Sequence, residues 1–171
     1  MRIELFDAKQ HERKGFDSGN PALNEYLQKY LAQGVKKHLI RAYVALEDSG
    51  RLIGYYTLSA ASISCADLPP DMAKGLPCYP IPALLIGRMA TDTQAREQGL
   101  KVGSKLLIHA CKQVLKVADT AGVLCVVVDA KPEAVSFYER FGFMRLKQED
   151  NLRLYLPVAT LQGLLGTGEP S

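Results

Sequence analysis

The chain has 171 residues, 47% of them apolar, and 21 Lys and Arg stand against 18 Asp and Glu for a net charge of +3. That is one domain's length with enough apolar side chain for a core, and its charge is too small to argue alone for a polyanionic partner. Four cysteines without a CxxC pair and three histidines without ligand spacing argue against a metal, and the absence of a bilayer-length apolar run leads to the expectation of a cytoplasmic protein with reduced thiols.

A short strand is expected at Met1 to Glu4. Asn20 followed by Pro21 has the form of an N-cap with proline at the first helical position. Leu23, Tyr26, Leu27, Tyr30 and Leu31 then recur at three and four residues, which predicts an amphipathic helix to about Val35 with these five on its buried face. Ala42 to Leu46 and Leu52 to Ala61 alternate as strands around Glu47 to Arg51, a turn-rich connection, and should pair as an antiparallel hairpin. Cys65 to Pro82 holds five of the nine prolines and no sustained period, so a long loop is expected. Ala83 to Ala90, Gly103 to Ala118 and Val123 to Val128 make a β-α-β unit, with Leu106, Leu107, Ala110, Val114 and Val117 turned inward. Pro132 to Arg140 predicts a helix ended by Gly142, Leu152 to Leu156 a last strand, and a short helix follows. Residues 1 to 165 form one domain, with a polar tail, 166 to 171, expected to fray.

The densest chemical signal runs from Leu84 to Leu107, a strand entering a turn rich in glycine and basic residues and then a helix. Small residues there let backbone N–H groups approach an anion at the helix N-terminus, where unpaired donors and the positive dipole end favour phosphate. Arg96, Lys101 and Lys105 add charge. From the glycines alone, a plain strand-to-helix connection is the better explanation of Gly99 and Gly103.

Arg88-Met89-Ala90-Thr91-Asp92 resembles the strand that, in the GNAT acetyltransferases, precedes a Q/R-x-x-G-x-G/A pyrophosphate loop. Two matches exist, Arg96-x-x-Gly99-x-Lys101 without a gap and Gln98-x-x-Lys101-x-Gly103 with two extra residues, and both put Lys101 where the family prefers Gly or Ala. Ala134 to Phe143, reading A-V-S-F-Y-E-R-F-G-F, is similar to the family's A-x-x-F-Y-x-x-x-G-F segment. The resemblance implies an α/β GNAT fold, a mixed central sheet with two splayed parallel strands and helices on both faces. It implies an acetyl-CoA site built from Met89, Ala90, Thr91, Arg96, Gln98, Gly99, Leu100, Lys101, Val102, Gly103, Ser104 and Phe137, with Met89 to Thr91 on the pantetheine arm. It also puts Tyr138 beside the thioester sulfur. A thiol near pKa ~8.5 and a phenol near ~10 are close enough for Tyr138 to donate the proton that the leaving thiolate needs, although helical spacing alone would make Tyr138 a core residue. Glu133 and Glu139 have no position that marks a general base.

Phe16 to Leu27 and the strands Arg41 to Ala45 and Ile53 to Leu58 narrow the resemblance to the GNAT toxins of type II toxin–antitoxin modules, over roughly residues 1 to 157. That resemblance implies acetylation of the α-amino group of aminoacyl-tRNA, a ribbon-helix-helix antitoxin that masks the toxin, contact with DNA only through the antitoxin complex, and a homodimer. Lys29, Lys36, Lys37, His38 and Arg41 lie in a stretch from Tyr26 to Leu46 that has no acid, a candidate phosphate-binding patch. Arg88 is a candidate for the acceptor end of tRNA or a partner of Asp92. Two other readings stay open: acetylation of a small amine or protein N-terminus, and an inactive binding module with Lys101 as its mark.

Overall fold

The computed structural model describes residues 1–77, 79–147 and 152–166. Among them are seven strands, β1 (Arg2–Leu5), β2 (Arg41–Leu46), β3 (Leu52–Ile63), β4 (Ile81–Thr91), β5 (Cys125–Asp129), β6 (Met144–Arg145) and β7 (Arg153–Pro157), in the order β1-β2-β3-β4-β5-β7-β6. This is the mixed sheet of a GNAT fold. The chain gathers into two units, residues 1–59 with 87–110 and residues 60–86 with the chain from 111 onward.

In the first unit β1 pairs antiparallel with β2, and β2 with β3, the expected hairpin. Gly50, at φ +90°, closes its turn. Asn20 caps α1 (Pro21–Glu25) by accepting from the Ala22 and Leu23 N–H groups. The helix continues through a π turn, Tyr26–Tyr30, into α2 (Leu31–Lys36). Leu27 and Leu31 are buried against Val44, Tyr55 and Ala90, while Leu23 and Tyr26 are partly buried against the same cluster. Tyr30 departs from the sequence expectation: it is 53% exposed. The π turn closes on i→i+5 bonds, here Leu31 N–H to the Tyr26 carbonyl, so the extra residue carries Tyr30 off the α-helical stripe.

In the second unit β4 runs parallel to β5 from Ala83↔Cys125 to Ile86↔Val128, and β7 pairs antiparallel with both β5 and β6. The two-residue β6 was not foreseen because it is too short to show a period. The proline-rich stretch is more ordered than a loop. Ser64 caps a 3₁₀ turn, Cys65–Asp67, and Pro70 begins α3 (Pro70–Ala73), because a missing N–H costs nothing in a helix's first turn. Leu68, Met72 and Leu76 cover Ile81, Ala83, Val127 and Tyr155. A 3₁₀ turn, Pro132–Ala134, leads into α6 (Val135–Arg140), and α7 (Val158–Leu164) follows β7. Cys78 and residues 167–171, most of the predicted tail, lie outside the described residues.

At the end of β4, Asp92 is 2% exposed and caps α4 (Thr93–Glu97) by accepting from the Gln94 and Ala95 N–H groups. Its other oxygen accepts from the Asp17 N–H at 3.3 Å, and Arg51 donates to the capping oxygen at 3.3 Å. Asp92→Ala removes the cap and leaves buried donors unfilled, so a loss of roughly 2–4 kcal/mol is expected in urea unfolding, with a smaller loss for Asp92→Asn.

Candidate active site

The turn after β4 is shaped by backbone more than by charge. The residues after Asp92 form α4, not an open turn, and α5 (Val102–Ala118) begins only after Lys101. Gly99 has φ +71° and Lys101 φ +53°. These are the two positions that the ungapped match, Arg96-x-x-Gly99-x-Lys101, pairs with small residues, and a left-handed backbone is the reason for such a preference. Gly103 lies in the first turn of α5 with no such requirement, so the geometry favours the ungapped register. The first N–H groups of α5, at Val102, Gly103 and Ser104, have no intrahelical acceptor and could hold an anion at the positive end of a 17-residue helix.

Arg96 does not aim at that site. Its guanidinium donates to the Ser18 carbonyl and lies 3.4 Å from where a Cβ on Gly19 would stand, tying the chain before α1 to α4. Gln98, Gly99 and Lys101 are exposed, Leu100 is half-buried, and Val102 is 2% exposed.

Gly54 on β3, which sequence reasoning named only as part of a strand match, seats this loop. A Cβ there would stand 2.8 Å from Val102 Cγ1, 2.9 Å from Leu106 Cδ1 and 3.2 Å from the Ala90 carbonyl. A glycine inside a strand marks such a close approach. Ala90 is buried, and Met89 and Thr91 are half-buried. The register of β4 with β5 ends at Ile86↔Val128, so residues 87–91 lie beyond it.

Arg88 does not pair with Asp92, whose cationic partner is Arg51. Its guanidinium carbon sits 3.8 Å from the centroid of the Tyr26 ring, a cation–π contact. The Arg88 N–H donates to Thr57 Oγ1 at 3.0 Å, and Thr57 is 2% exposed. The Tyr55 hydroxyl donates to the Leu23 carbonyl at 2.7 Å, fixing the helix over the sheet, and burial raises its pKa.

In the second unit, Tyr138 is both core and candidate acid. It is 6% exposed, with the Phe137 ring edge-on at 5.1 Å and the Phe143 ring edge-on at 5.6 Å. Gly142, at φ +101°, turns the chain after α6 so that the Phe143 N–H reaches the Tyr138 carbonyl at 3.3 Å. This is why F-Y-x-x-x-G-F holds together as a unit. Burial pushes the Tyr138 phenol up to about 12. The hydroxyl therefore keeps its proton at neutral pH and can give a hydrogen bond or proton to a developing thiolate. Glu133 is exposed, and Glu139 is exposed and paired with Arg145 at 3.3 Å. The buried Cys111 and Cys125 thiols are pushed up to about 12 and are inert as nucleophiles.

Of the basic candidates, Lys29 is paired with Glu25 at 3.3 Å, while Lys36, Lys37 and Arg41 are exposed. Among the described residues no cluster of His, Cys, Asp or Glu could hold a metal ion, and no helix is long and apolar enough to cross a membrane.

Lysine at φ +53° is strained by about 1 kcal/mol. Lys101→Gly is expected to raise the unfolding free energy by about that amount, read as a higher urea midpoint at an unchanged slope; a lowered midpoint would mean that the lysine is held without strain.

Comparison with known proteins gives the family and the fold. Residues 38–145 match the model of the acetyltransferase (GNAT) domain. A tRNA-acetylating toxin of Mycobacterium tuberculosis is 34% identical over 152 residues, covering 88% of this chain and 89% of that protein. The solved structure of AtaT complexed with acetyl-methionyl-tRNAfMet superposes with a TM-score of 0.86 at 29% identity, covering 95% of this chain and 98% of that one. A tyrosine-to-phenylalanine mutant of AtaT bound to the C-terminus of the antitoxin AtaR and acetyl-CoA superposes with a TM-score of 0.81 at 26% identity, covering 98% of each chain.

Proposed function

Because the chain belongs to the GNAT acetyltransferases, we propose that it is an acetyl-CoA-dependent N-acetyltransferase toxin that acetylates the α-amino group of aminoacyl-tRNA and so inhibits translation. The observation that carries this reading is the likeness to a tRNA-acetylating toxin along nearly the whole of both chains, a likeness that extends through the N-terminal helix as well as the acetyltransferase core. Neutralisation by a cognate ribbon-helix-helix antitoxin, a homodimer and action in the cytoplasm, where aminoacyl-tRNA is used, belong to the same proposal. The solved complex of AtaT with the C-terminus of AtaR supports the antitoxin part.

Each residue's role follows from its chemistry. The N–H groups of Val102, Gly103 and Ser104 hold the pyrophosphate of the cofactor, with Gly99 and Lys101 shaping the approach and Gln98 and Leu100 beside them. Met89, Ala90 and Thr91 offer backbone groups to the pantetheine arm in the manner of an added strand. Arg96 serves this loop through its tie to Ser18, and not through its own charge. Acetyl-CoA supplies the acetyl group as a thioester, from which the neutral amine displaces the thiol. Tyr138 gives its proton to the departing sulfur, the nitrogen loses one proton to solvent as the amide forms, and solvent then reprotonates Tyr138; Phe137 limits the entry of water beside the ring. An α-amino group, with a pKa of about 7.7–8.0, is partly neutral at pH 7, so no carboxylate base is required. Arg88, Lys36, Lys37 and Arg41 meet tRNA phosphates, with Lys29 contributing only when its pair with Glu25 opens.

The test incubates purified protein with acetyl-CoA and charged tRNA, releases the aminoacyl group in alkali and looks for the N-acetylamino acid by mass. Tyr138→Phe should keep the fold and acetyl-CoA affinity while turnover falls by a factor on the order of 10²–10⁴. Unchanged turnover removes Tyr138 from the mechanism.

The pH dependence has a definite sign. Raising the pH removes the proton that blocks the amine, while the Tyr138 phenol, pushed up to about 12 by burial, keeps its own. Initial kcat/KM should rise through pH ~8 to a plateau with no fall by pH ~9.5, where an ordinary phenol would begin to ionise. A falling limb near pH 9 contradicts this assignment.

A further inference from the structure

The ring of Tyr30 lies outside the core cluster that the rest of its helix face joins. The other apolar residues at helical spacing, Leu23, Tyr26, Leu27 and Leu31, pack wholly or partly against one core, while Tyr30 leaves it at 53% exposure. It does not stand alone. Its centroid is 6.4 Å from that of Tyr26, and Tyr26 carries the Arg88 guanidinium at 3.8 Å on its face. The result is a line of cation, ring and ring that runs from β4 outward to solvent. The backbone under Arg88 is held by its N–H on Thr57 Oγ1, and the helix that carries both rings is held at its start by the Tyr55 hydroxyl on the Leu23 carbonyl.

Arg88 pairs with no carboxylate among the described residues, and it directly precedes Met89, which the proposed function puts on the pantetheine arm. Beyond Tyr30 the chain exposes Lys36, Lys37, His38, Leu39 and Arg41 without an acid. Exposed aromatic faces among cations suit an unpaired nucleic-acid strand, whose bases stack and whose phosphates pair. A duplex hides its base faces from such a ring. An acidic peptide would satisfy the lysines and leave the ring and the stacked guanidinium unused.

We propose that Tyr30, backed by Tyr26 and Arg88, is a stacking platform for an unpaired base at the 3′ end of the aminoacyl-tRNA, and that Arg88 takes the phosphate beside that base. This rests on the aminoacyl-tRNA reading and adds the residues that orient its acceptor end. The π turn is the device that makes the platform, because an α-helix continued at 3.6 residues per turn would return Tyr30 to the core stripe.

The experiment measures binding of the full chain to a labelled RNA hairpin carrying the unpaired 3′ end of tRNA, against the same hairpin cut blunt. Tyr30→Ala should weaken binding of the overhang hairpin by about 5- to 100-fold and leave the blunt one unchanged, and Tyr30→Phe, which keeps the ring, should bind like the parent. Arg88→Ala should reduce the slope of log Kd against log salt by about 0.7, the share of one single-strand phosphate. The same Tyr30→Ala loss should reappear in KM for aminoacyl-tRNA, with acetyl-CoA affinity and unfolding midpoint as controls on the fold. Equal binding of both hairpins by parent and Tyr30→Ala overturns the platform, as does a Tyr30→Ala defect confined to binding of an acidic antitoxin peptide. If the parent acetylates only free amines while the hairpin result holds, the failure belongs to the aminoacyl-tRNA reading and not to the platform.

Discussion

A buried carboxylate holds the first unit together. Asp92 stands at the end of β4, 2% exposed, where it caps α4, accepts the Asp17 N–H and receives Arg51 from the β2–β3 turn. One side chain therefore joins the cofactor strand, the loop that follows it, the hairpin and the segment leading to the N-terminal helix. Backbone bonds run beside it, from the Asp92 N–H to the Ile53 carbonyl and from the Thr93 N–H to the Asp17 carbonyl. Since Ile53 adjoins Gly54, which seats the first turn of α5, the placement of that turn's free N–H groups depends on this junction. A buried charge is tolerable here because hydrogen bonds and Arg51 surround it.

The two chemical elements are built on opposite principles. In the proposed function the loop before α5 binds through its backbone, a role that asks little of its side chains, and Lys101 keeps its own N–H at φ +53°. The mark that suggested an inactive module is thus compatible with an anion site. Tyr138, by contrast, is proposed to act through its side chain, and the burial that makes it look like core is what keeps its phenol protonated. For this residue, packing and chemistry are one property.

Much of this was legible in the sequence because it is local. Asn20-Pro21, the β2–β3 hairpin, the β-α-β unit and F-Y-x-x-x-G-F are all carried by neighbouring residues, and each formed as expected. What escaped is non-local or depends on small backbone differences. Nothing in Leu23 to Leu31 signals a π turn, so helical spacing puts Tyr30 inside when it lies outside. Arg88 was offered Asp92 as a partner because they are four residues apart. Asp92 takes Arg51 instead, 41 residues away, and Arg88 takes Tyr26, 62 residues away in sequence. The register of the phosphate loop waited on two φ angles. Arg96 carries the charge expected of a phosphate ligand, yet the fold spends that charge on Ser18.

The account rests on the identity of the acceptor, and competition tests it most directly. Purified protein would receive labelled acetyl-CoA together with total aminoacyl-tRNA, free amino acids and polyamines in one tube, and the label would be followed into each pool. The account predicts that label accumulates on the aminoacyl-tRNA, in a form released by alkali as N-acetylamino acid. Label confined to free amino acids or polyamines would contradict it.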